Sequence, residues 1–229
     1  MNQNNFVGEL VQKDYTEKQW REIQLGIESG VDVLIYAKVD YHHAQMRELR
    51  LGLEQGFDVL VYSDRFLHSK DMFLIRKCME LKFEVNYFLN KELNYKQKEQ
   101  IFFGMLSGIQ YAIYAKPEYN EWKMKEVRLG MEKGFDLTPY LDTHNHNQIH
   151  QIRLGMESQV EYKIYDDVRF KQAQMAEILS GLQSGLEVSV YADFTLPIEV
   201  MRSRRVTLER EKHRTKNKQE RRSNLNDEI

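Results

Sequence analysis

The spacing of apolar residues divides most of the chain into alternating segments of two kinds. In the first kind, apolar residues recur at i, i+3 and i+7, as at Met46, Leu49 and Leu53, which is the spacing of one face of an α-helix. In the second kind, illustrated by FDVLVY at 57–62, the pattern alternates and β-branched residues are frequent, which is typical of a short strand. The pattern therefore predicts a helix followed by a strand.

This pair of segments recurs along the chain. The stretches EIQLGIESGVDVLIY, ELRLGLEQGFDVLVY, EVRLGMEKGFDLTPY and EILSGLQSGLEVSVY are variants of one unit. The spacing is 26 residues at every step except one of 25, as marked by Trp20, Met46, Met72, Lys98, Met124, Ile149, Met175 and Met201. The period predicts an N-terminal cap at 1–14, seven helix–strand repeats at 15–196, and a C-terminal capping helix with a basic tail at 197–229.

The element lengths suggest how the repeats stack. A helix of about 13 residues rises ~20 Å, and a strand of about six residues covers the same distance. We therefore expect an α/β fold: a curved right-handed solenoid of helix–strand repeats with an inner parallel sheet and outer helices, similar in shape to leucine-rich-repeat proteins. Pro139 falls on an inward strand position next to the shortened repeat, which predicts a kink or sheet discontinuity near 137–147.

Two positions in each repeat usually hold glycine. One follows the predicted helix, where a left-handed residue would end it; Lys82 and Gln159 replace this glycine in two copies, so those helix ends are expected to be less regular. The other lies inside the helix and predicts close approach of a neighbouring helix or of the sheet, because glycine there costs about 1 kcal/mol relative to alanine. Cys78 replaces this second glycine in one copy, and we interpret it as a small filler residue rather than a nucleophile.

The wording of the repeat resembles that of a known group. The stretch QMRELRLGLEQGFDVLVYSD is similar to repeats of the form QM-x-EIRLGLE-x-GLDVSVYA, which occur in proteins of Gram-positive bacteria and their mobile elements. The resemblance spans Tyr15 to Asp193. It implies a shared repeat fold and a mobile-element setting, and it supplies no catalytic residues.

Stacking would align equivalent residues into columns on a concave sheet face. One column is acidic at six of seven positions, and its neighbour is aromatic throughout. The residues predicted to bind a protein partner with a basic surface are Asp32, Tyr36, Asp58, Tyr62, Glu84, Tyr114, Asp136, Tyr140, Glu161, Tyr165, Glu187 and Tyr191. Structural alternatives remain open: the acids could be offset by backbone N–H groups or by the helix column Arg50, Arg76, Arg128 and Arg153, and the tyrosines could form a packing ladder.

The C-terminal segment differs from the body in charge. Residues 198–229 hold ten Lys and Arg against six Asp and Glu, a net charge of +4, which leaves 23 against 29, or −6, for the preceding residues. This basic helix could be a solubilising cap, could contact nucleic-acid phosphates, or could be an arm that binds a partner protein. The residues predicted for that contact are Arg202, Arg204, Arg205, Arg210, Lys212, Arg214, Lys216, Lys218, Arg221 and Arg222.

Catalytic and metal-binding signatures are not evident in the sequence. His146 and His150 could meet on one helix face, as in a zinc site, but we interpret them and His144 as surface residues. We therefore expect no catalytic residues, metal or cofactor. The single cysteine predicts a cytoplasmic protein, and no apolar run approaches the ~20 residues of a membrane span.

These patterns favour one function class over two others. We expect a non-catalytic protein-binding solenoid, in the setting of the resemblance a phage or mobile-element inhibitor that occupies the basic surface of a nucleic-acid-processing defence enzyme. The alternative is an RNA- or DNA-binding protein that acts through the basic C-terminal helix. An enzyme is the least favoured class.

Overall fold

The computed structural model describes residues 14–226, with side chains described through residue 219. Within this range the secondary structure is entirely helical. The α-helices are α1 (Glu17–Glu28), α2 (His43–Glu54), α3 (Ser69–Glu80), α4 (Asn86–Leu89), α5 (Tyr95–Leu106), α6 (Glu121–Glu132), α7 (His146–Glu157), α8 (Gln172–Gln183) and α9 (Ile198–Asn226).

The chain divides into two compact units, unit 1 (Met1–Glu118) and unit 2 (Tyr119–Ile229). In unit 1, α1 packs on α2, α2 on α3 and α3 on α5, and the short α4 contacts α3 and α5. In unit 2, α6 packs on α7, α7 on α8 and α8 on α9. Helices that are adjacent in the repeat order thus cover one another's apolar faces.

Local signals set the start and the end of the regular α-helices, as α1 illustrates. At its start, Thr16 Oγ1 accepts the N–H of Gln19 and Gln19 Oε1 accepts the N–H of Thr16, which forms a capping box. At its end, Gly30 has a φ of 75°. The N–H groups of Gly30 and Val31 donate to the carbonyls of Ile27 (3.1 Å) and Gly26 (3.0 Å), which is a Schellman motif.

The two helix ends that lack this glycine keep the same geometry, so the expectation of less regular ends is wrong. Lys82 and Gln159 adopt φ values of 60° and 55°. The N–H of Phe83 still donates to the carbonyl of Cys78 at 2.8 Å, and the N–H of Val160 to that of Gly155 at 3.1 Å. The hydrogen bonds and packing of the repeat therefore impose a left-handed residue even where a side chain costs about 1–2 kcal/mol.

The second half of each repeat is helical rather than extended. The predicted strands are replaced by α4 in the third repeat and elsewhere by short 3₁₀ helices: Val33–Ile35, Val59–Tyr62, Tyr111–Ile113, Thr138–Tyr140, Tyr162–Tyr165 and Val188–Val190. The predicted α/β solenoid with an inner parallel sheet, and its likeness in shape to leucine-rich-repeat proteins, is therefore wrong. With no strand in residues 14–226, the expected concave acidic sheet face does not exist there either.

Burial along the turn explains the error. Val59 and Tyr62, three residues apart, are 1% and 0% exposed, whereas Leu60 and Val61 between them are 67% and 41% exposed. A 3₁₀ helix has three residues per turn, so residues i and i+3 lie on one side. Asp58 stabilises the turn because its carboxylate accepts the N–H of Leu60 at 3.1 Å. The alternation in the sequence is real, but burial follows a period of three.

Candidate functional site

The aromatic column lies in the core. Tyr62 is 0% exposed, and its hydroxyl donates to the carbonyl of Glu48 in α2 at 3.3 Å. A Cβ at Gly52 would collide with this hydroxyl and would lie 2.8 Å from Cγ1 of Val59. The mid-helix glycine therefore makes room for a tyrosine of its own repeat, rather than for a neighbouring helix or sheet.

The same arrangement recurs in both units. The tyrosines whose hydroxyls occupy glycine slots are Tyr36, Tyr62, Tyr114, Tyr165 and Tyr191. All five are 0% exposed. Burial raises the pKa of Tyr191 to about 12, so this hydroxyl stays neutral and acts as a hydrogen-bond donor. These tyrosines therefore offer no surface to a partner.

The acidic column stays exposed, and four of its members cap the turn that follows them. Asp32, Asp58, Asp136 and Glu187 each accept the backbone N–H two residues along, at 3.0–3.4 Å. Hydrogen bonds from the hydroxyl and the N–H of Thr138 lower the pKa of Asp136. Glu84 and Glu161 are exposed as well, and Glu161 makes no side-chain cap. The capping carboxylates thus have a structural role whether or not they meet a partner.

The arginine column pairs with glutamates of the preceding helix, not with the acidic column. Arg76 Nε lies 2.9 Å from Glu48, and these two side chains are 7% and 11% exposed. The equivalent pairs are Arg50–Glu22 at 2.9 Å and Arg153–Glu126 at 2.8 Å. Arg128 pairs with Glu132 of its own helix at 2.6 Å. Because both partners of the inter-helix pairs are largely buried, breaking a pair would cost more than removing a surface ion pair.

A column of buried glutamines joins successive repeats and was missed by the sequence interpretation. Gln45 accepts the N–H of His42 at 2.7 Å and donates to the carbonyls of Arg65 (2.8 Å) and Leu67 (2.7 Å) in the next repeat. Gln19, Gln97, Gln148 and Gln174 form corresponding bonds. The available signal was a glutamine that recurs one position before the residue that marks the 26-residue period. A polar residue at a buried position is expected to form hydrogen bonds.

The glycine slot is filled differently in the repeat that contains Pro139. Opposite Gly130 lies Leu137, which is 0% exposed. Tyr140 instead donates to Asp166 Oδ2 at 2.8 Å and accepts from Lys163 Nζ at 3.0 Å. The predicted sheet discontinuity near 137–147 does not apply because these residues contain no strand, and the predicted kink there stays a prediction.

A buried histidine completes the polar cluster around Tyr140. His144 is 6% exposed, and its Nε2 lies 3.5 Å from Asp166 Oδ1 without a hydrogen-bond partner. Its ring meets that of Tyr140 edge-on at 5.1 Å between centroids, and Nδ1 lies 2.8 Å from the hydroxyl of Thr143. Burial lowers the pKa of His144. This histidine belongs to the core, contrary to its interpretation as a surface residue.

The remaining candidate chemical groups are occupied in other ways. Cys78 is fully buried, and desolvation raises the pKa of its thiol to about 12, so the thiolate is scarce near neutral pH. His150 lies 3.1 Å from Glu126, and His146 faces the ring of Trp122 at 6.4 Å. No cluster of three or more metal-ligating side chains occurs in the described part of the chain.

The first half of α9 is bound to the body of unit 2. Arg202 and Arg205 both reach Glu177 of α8, at 2.8 and 2.7 Å. Arg204 donates to the carbonyl of Val190 at 2.6 Å. Lys212 donates to the carbonyl of Ser184 at 2.6 Å, at the C-terminal end of α8, where a cation is favourable. These four basic residues, all predicted to contact nucleic acid, hold the helix in place.

The second half of α9 carries the other predicted residues on an exposed surface. Every side chain from 210 to 219 is exposed. No ion pair joins Arg210, Arg214 or Lys218 to another described residue. Lys216 is also exposed. The side chains of Arg221 and Arg222 lie outside the described residues.

Comparisons of the chain with protein-family models, with curated proteins and with solved structures find no match. Among the helices in residues 14–226, none has both the length and the apolar character needed to cross a bilayer.

Proposed function

We propose that this protein is a non-catalytic binding protein that contacts nucleic-acid phosphates through the exposed half of α9. The observation that carries the proposal is the net positive charge of this helical surface. Residues 210–219 hold five Lys and Arg against one acid, a net charge of +4, and all their side chains are exposed. Phosphate contacts from Lys and Arg release counterions and supply most of the sequence-independent affinity.

The division of labour along α9 supports the same proposal. The basic residues nearer the body are used to dock the helix, through Glu177 and through carbonyl groups of the neighbouring turns. Arg210 lies just before Lys212, the last of these docking residues, and Arg214 and Lys218 lie beyond it. None of the three has an acidic partner among the described residues. A solubilising cap alone would not need three uncompensated charges on a helix that is already docked. The proposed setting is the cytoplasm, where nucleic acids are accessible.

The test removes these three charges and keeps the helix. The variant R210Q/R214Q/K218Q should lower the affinity for labelled RNA and DNA oligonucleotides at least tenfold in fluorescence anisotropy. Losing three phosphate contacts should also make the slope of log affinity against log salt shallower by about 2–3. Glutamine is a good helix former, so circular dichroism should be unchanged.

The matched control is K38Q/K77Q/K125Q, which removes the same charge from other parts of the chain. Both triple variants have the same net charge, so a general electrostatic effect would weaken binding equally in the two. Equal affinities of the α9 variant and the unmodified protein would refute the proposal, and so would equal losses in both variants.

The second candidate function is binding of a protein with a basic surface, which the acidic column led us to expect. Its support is that Asp32, Asp58 and Glu84 stay exposed, and that Leu34 and Leu60 beside them are 52% and 67% exposed. The role of a phage or mobile-element inhibitor of a defence enzyme belongs to this candidate and depends on the resemblance of the repeat.

The capping role of Asp32 and Asp58 dictates the design of its test. Charge reversal would remove the caps as well as the charge, whereas D32N/D58N/E84Q keeps oxygen acceptors for the turns and removes three negative charges. Under this candidate the variant should lose binding to an Arg- and Lys-rich peptide and keep its unfolding midpoint. Unchanged peptide binding would exclude the acidic column as the binding surface.

A further inference from the structure

A cavity of about 480 Å³ opens in unit 1 between the starts of α2 and α3. Its lining consists of His42, Gln45, Arg65, Phe66, Leu67, His68 and Ser69. None of these residues was predicted to bind a ligand. The cavity lies within one compact unit, so its shape depends only on the packing of neighbouring repeats.

Phe66 is the most unusual residue of this lining. Its side chain is 78% exposed, the highest value among the large apolar residues of the described chain. The equivalent positions in other repeats are polar or charged: Asp40, Glu92, Glu118, Thr143, Arg169 and Thr195. The Phe66 ring therefore contributes little to the core. An exposed ring of this kind suits a flat aromatic ligand, and bases stack on aromatic side chains with about 1–3 kcal/mol each.

Arg65 places a cation beside the exposed ring. Its guanidinium carbon lies 4.7 Å from the centroid of the Phe66 ring. One terminal nitrogen, Nη1, is bound to Asp40 Oδ2 at 2.6 Å, which holds the side chain in position. A guanidinium has five N–H donors, so this single bond leaves others available to a phosphate group.

The cavity lining also contains two histidines, each at the start of a helix. His42 Nδ1 accepts the N–H of Ala44 at 3.3 Å, and His68 Nδ1 accepts the N–H of Lys70 at 3.1 Å. Because Nδ1 is an acceptor in both rings, the neutral imidazoles carry their proton on Nε2. Each ring therefore has one N–H donor, at Nε2.

A second cavity, of about 470 Å³, shares His42 with the first and includes Thr16, Lys18, Tyr41 and His43 in its lining. The two cavities follow one another at the spacing of the repeat, but Val39 and Asp40 of the second stand where the first has Arg65 and Phe66. Of these two cavities, only the first therefore has the pairing of Arg65 with the exposed ring of Phe66.

We propose that the Phe66 cavity binds a nucleotide, with the base stacked on Phe66 and the phosphate held by Arg65, His42 and His68. The inference deepens the proposed function, on which it rests for its ligand class. The nucleotide could come from a single-stranded nucleic acid or from a free mononucleotide, and the experiment separates these sources. Duplex DNA is not expected to use the cavity, because its bases are already stacked on one another.

The repeat itself supplies a variant that should fold. Glutamate occupies the Phe66 position in two other repeats, so F66E replaces the ring by a residue that this position accommodates. The matched control is L106A, which removes another exposed apolar side chain, 51% exposed, from the same unit. We would measure binding of a labelled single-stranded oligonucleotide and a labelled duplex by anisotropy, and binding of adenosine monophosphate by calorimetry.

F66E should lower single-strand affinity about tenfold or more and leave duplex affinity within about twofold, while L106A should change neither. The variant H42N/H68N should weaken single-strand binding too; asparagine caps α5, α6 and α7, so the helix starts should persist. Adenosine monophosphate binding that F66E abolishes would identify a free nucleotide as a ligand. Its absence, with single-strand binding still dependent on Phe66, would identify the strand.

The α9 triple variant keeps the two proposals apart. If F66E binds every probe like the unmodified protein while the α9 variant loses affinity, the cavity proposal is refuted and the proposed function stands. If F66E loses single-strand affinity while the α9 variant keeps it, the cavity proposal stands and the proposed function is refuted.

Discussion

The second and third repeats of unit 1 fill equivalent buried positions with different side chains. In the second repeat, Gly52 leaves space for the hydroxyl of Tyr62, which bonds to a helix carbonyl. The third repeat has Cys78 at the glycine position and Phe88 at the tyrosine position, and both are 0% exposed. Phenylalanine has no hydroxyl to place, so a small side chain can occupy the helix position.

The same repeats differ at two further positions, again in pairs. Asp71 replaces the bridging glutamine seen at Gln45, and Lys98 of the following repeat, 3% exposed, stands where most repeats have methionine. The two side chains lie 3.3 Å apart. One repeat after the Glu48–Arg76 ion pair, the corresponding positions hold two apolar residues, Leu74 and Phe102. A buried position in this protein thus changes its chemistry when its partner position changes as well.

The largest effect on stability should come from breaking the ion pair between Asp71 and Lys98. K98M installs the common residue but leaves the Asp71 carboxylate buried without its cation, and Asp71 Oδ1 already lacks a hydrogen-bond partner. We expect a loss of about 3 kcal/mol in the free energy of unfolding, measured by urea titration.

The double variant D71Q/K98M restores the common pattern and should recover most of that stability, because a neutral buried pair can replace an ionic one at little cost. A K98M protein as stable as the unmodified one would show that the ion pair is dispensable. The paired replacement at these two positions would then make no measurable contribution to the free energy of unfolding.

A smaller loss of stability should follow when a side chain fills the space beside the mid-helix glycine. In G52A the new Cβ collides with the Tyr62 hydroxyl, and overpacking of a core costs about 1–3 kcal/mol. The expected result is a loss of about 2–3 kcal/mol in the same urea titration. G52A/Y62F, which imitates the third repeat, should recover part of this loss, whereas the exposed control R47A in α2 should stay within about 0.5 kcal/mol.

The smallest effect concerns the polar cluster at His144. Burial lowers the native-state pKa of this histidine below 6.5, so the unfolded chain takes up the proton first as the pH falls. Stability should therefore be complete above about pH 6.5. Below it, stability should decline by at most about 1.4 kcal/mol per pH unit until the lowered native pKa is reached.

H144F, which uses the residue found at Phe170, should remove this contribution. The measurement is the difference in unfolding free energy between pH 7.5 and pH 5.5 for both proteins. Identical differences would show that His144 has the same protonation in the folded and unfolded states across this pH range.

The positions of the helices could be predicted because their signals are local. The i, i+3, i+7 pattern, the capping residues such as Thr16 and Asn94, and the terminal glycines each act within a few residues. Such signals act the same way wherever the segment is packed. The charge of the C-terminal helix was also readable, since it depends on composition alone.

The candidate sites were less predictable because burial decides them. Tyr62 and Leu60 belong to one short segment and both have large, mainly apolar side chains, yet Tyr62 is fully buried and Leu60 is 67% exposed. Likewise, Gln45 is a buried bridge and Phe66 an exposed ring, which reverses the usual assignment of polar residues to the surface. A single segment does not distinguish these cases, and for Gln45 the signal lies only in the recurrence of glutamine from repeat to repeat.

By itself, the sequence determined the 26-residue period, the position of the first helix of each repeat and the basic charge of α9, because each follows from local chemistry, from recurrence or from simple composition. Only the tertiary structure decided that FDVLVY and its equivalents form turns with three residues per turn instead of strands. The physical reason is that an extended segment and a 3₁₀ turn both accommodate such a sequence. The packing of Val59 and Tyr62 against their own helix, with the tyrosine hydroxyl in the glycine slot, selects the turn.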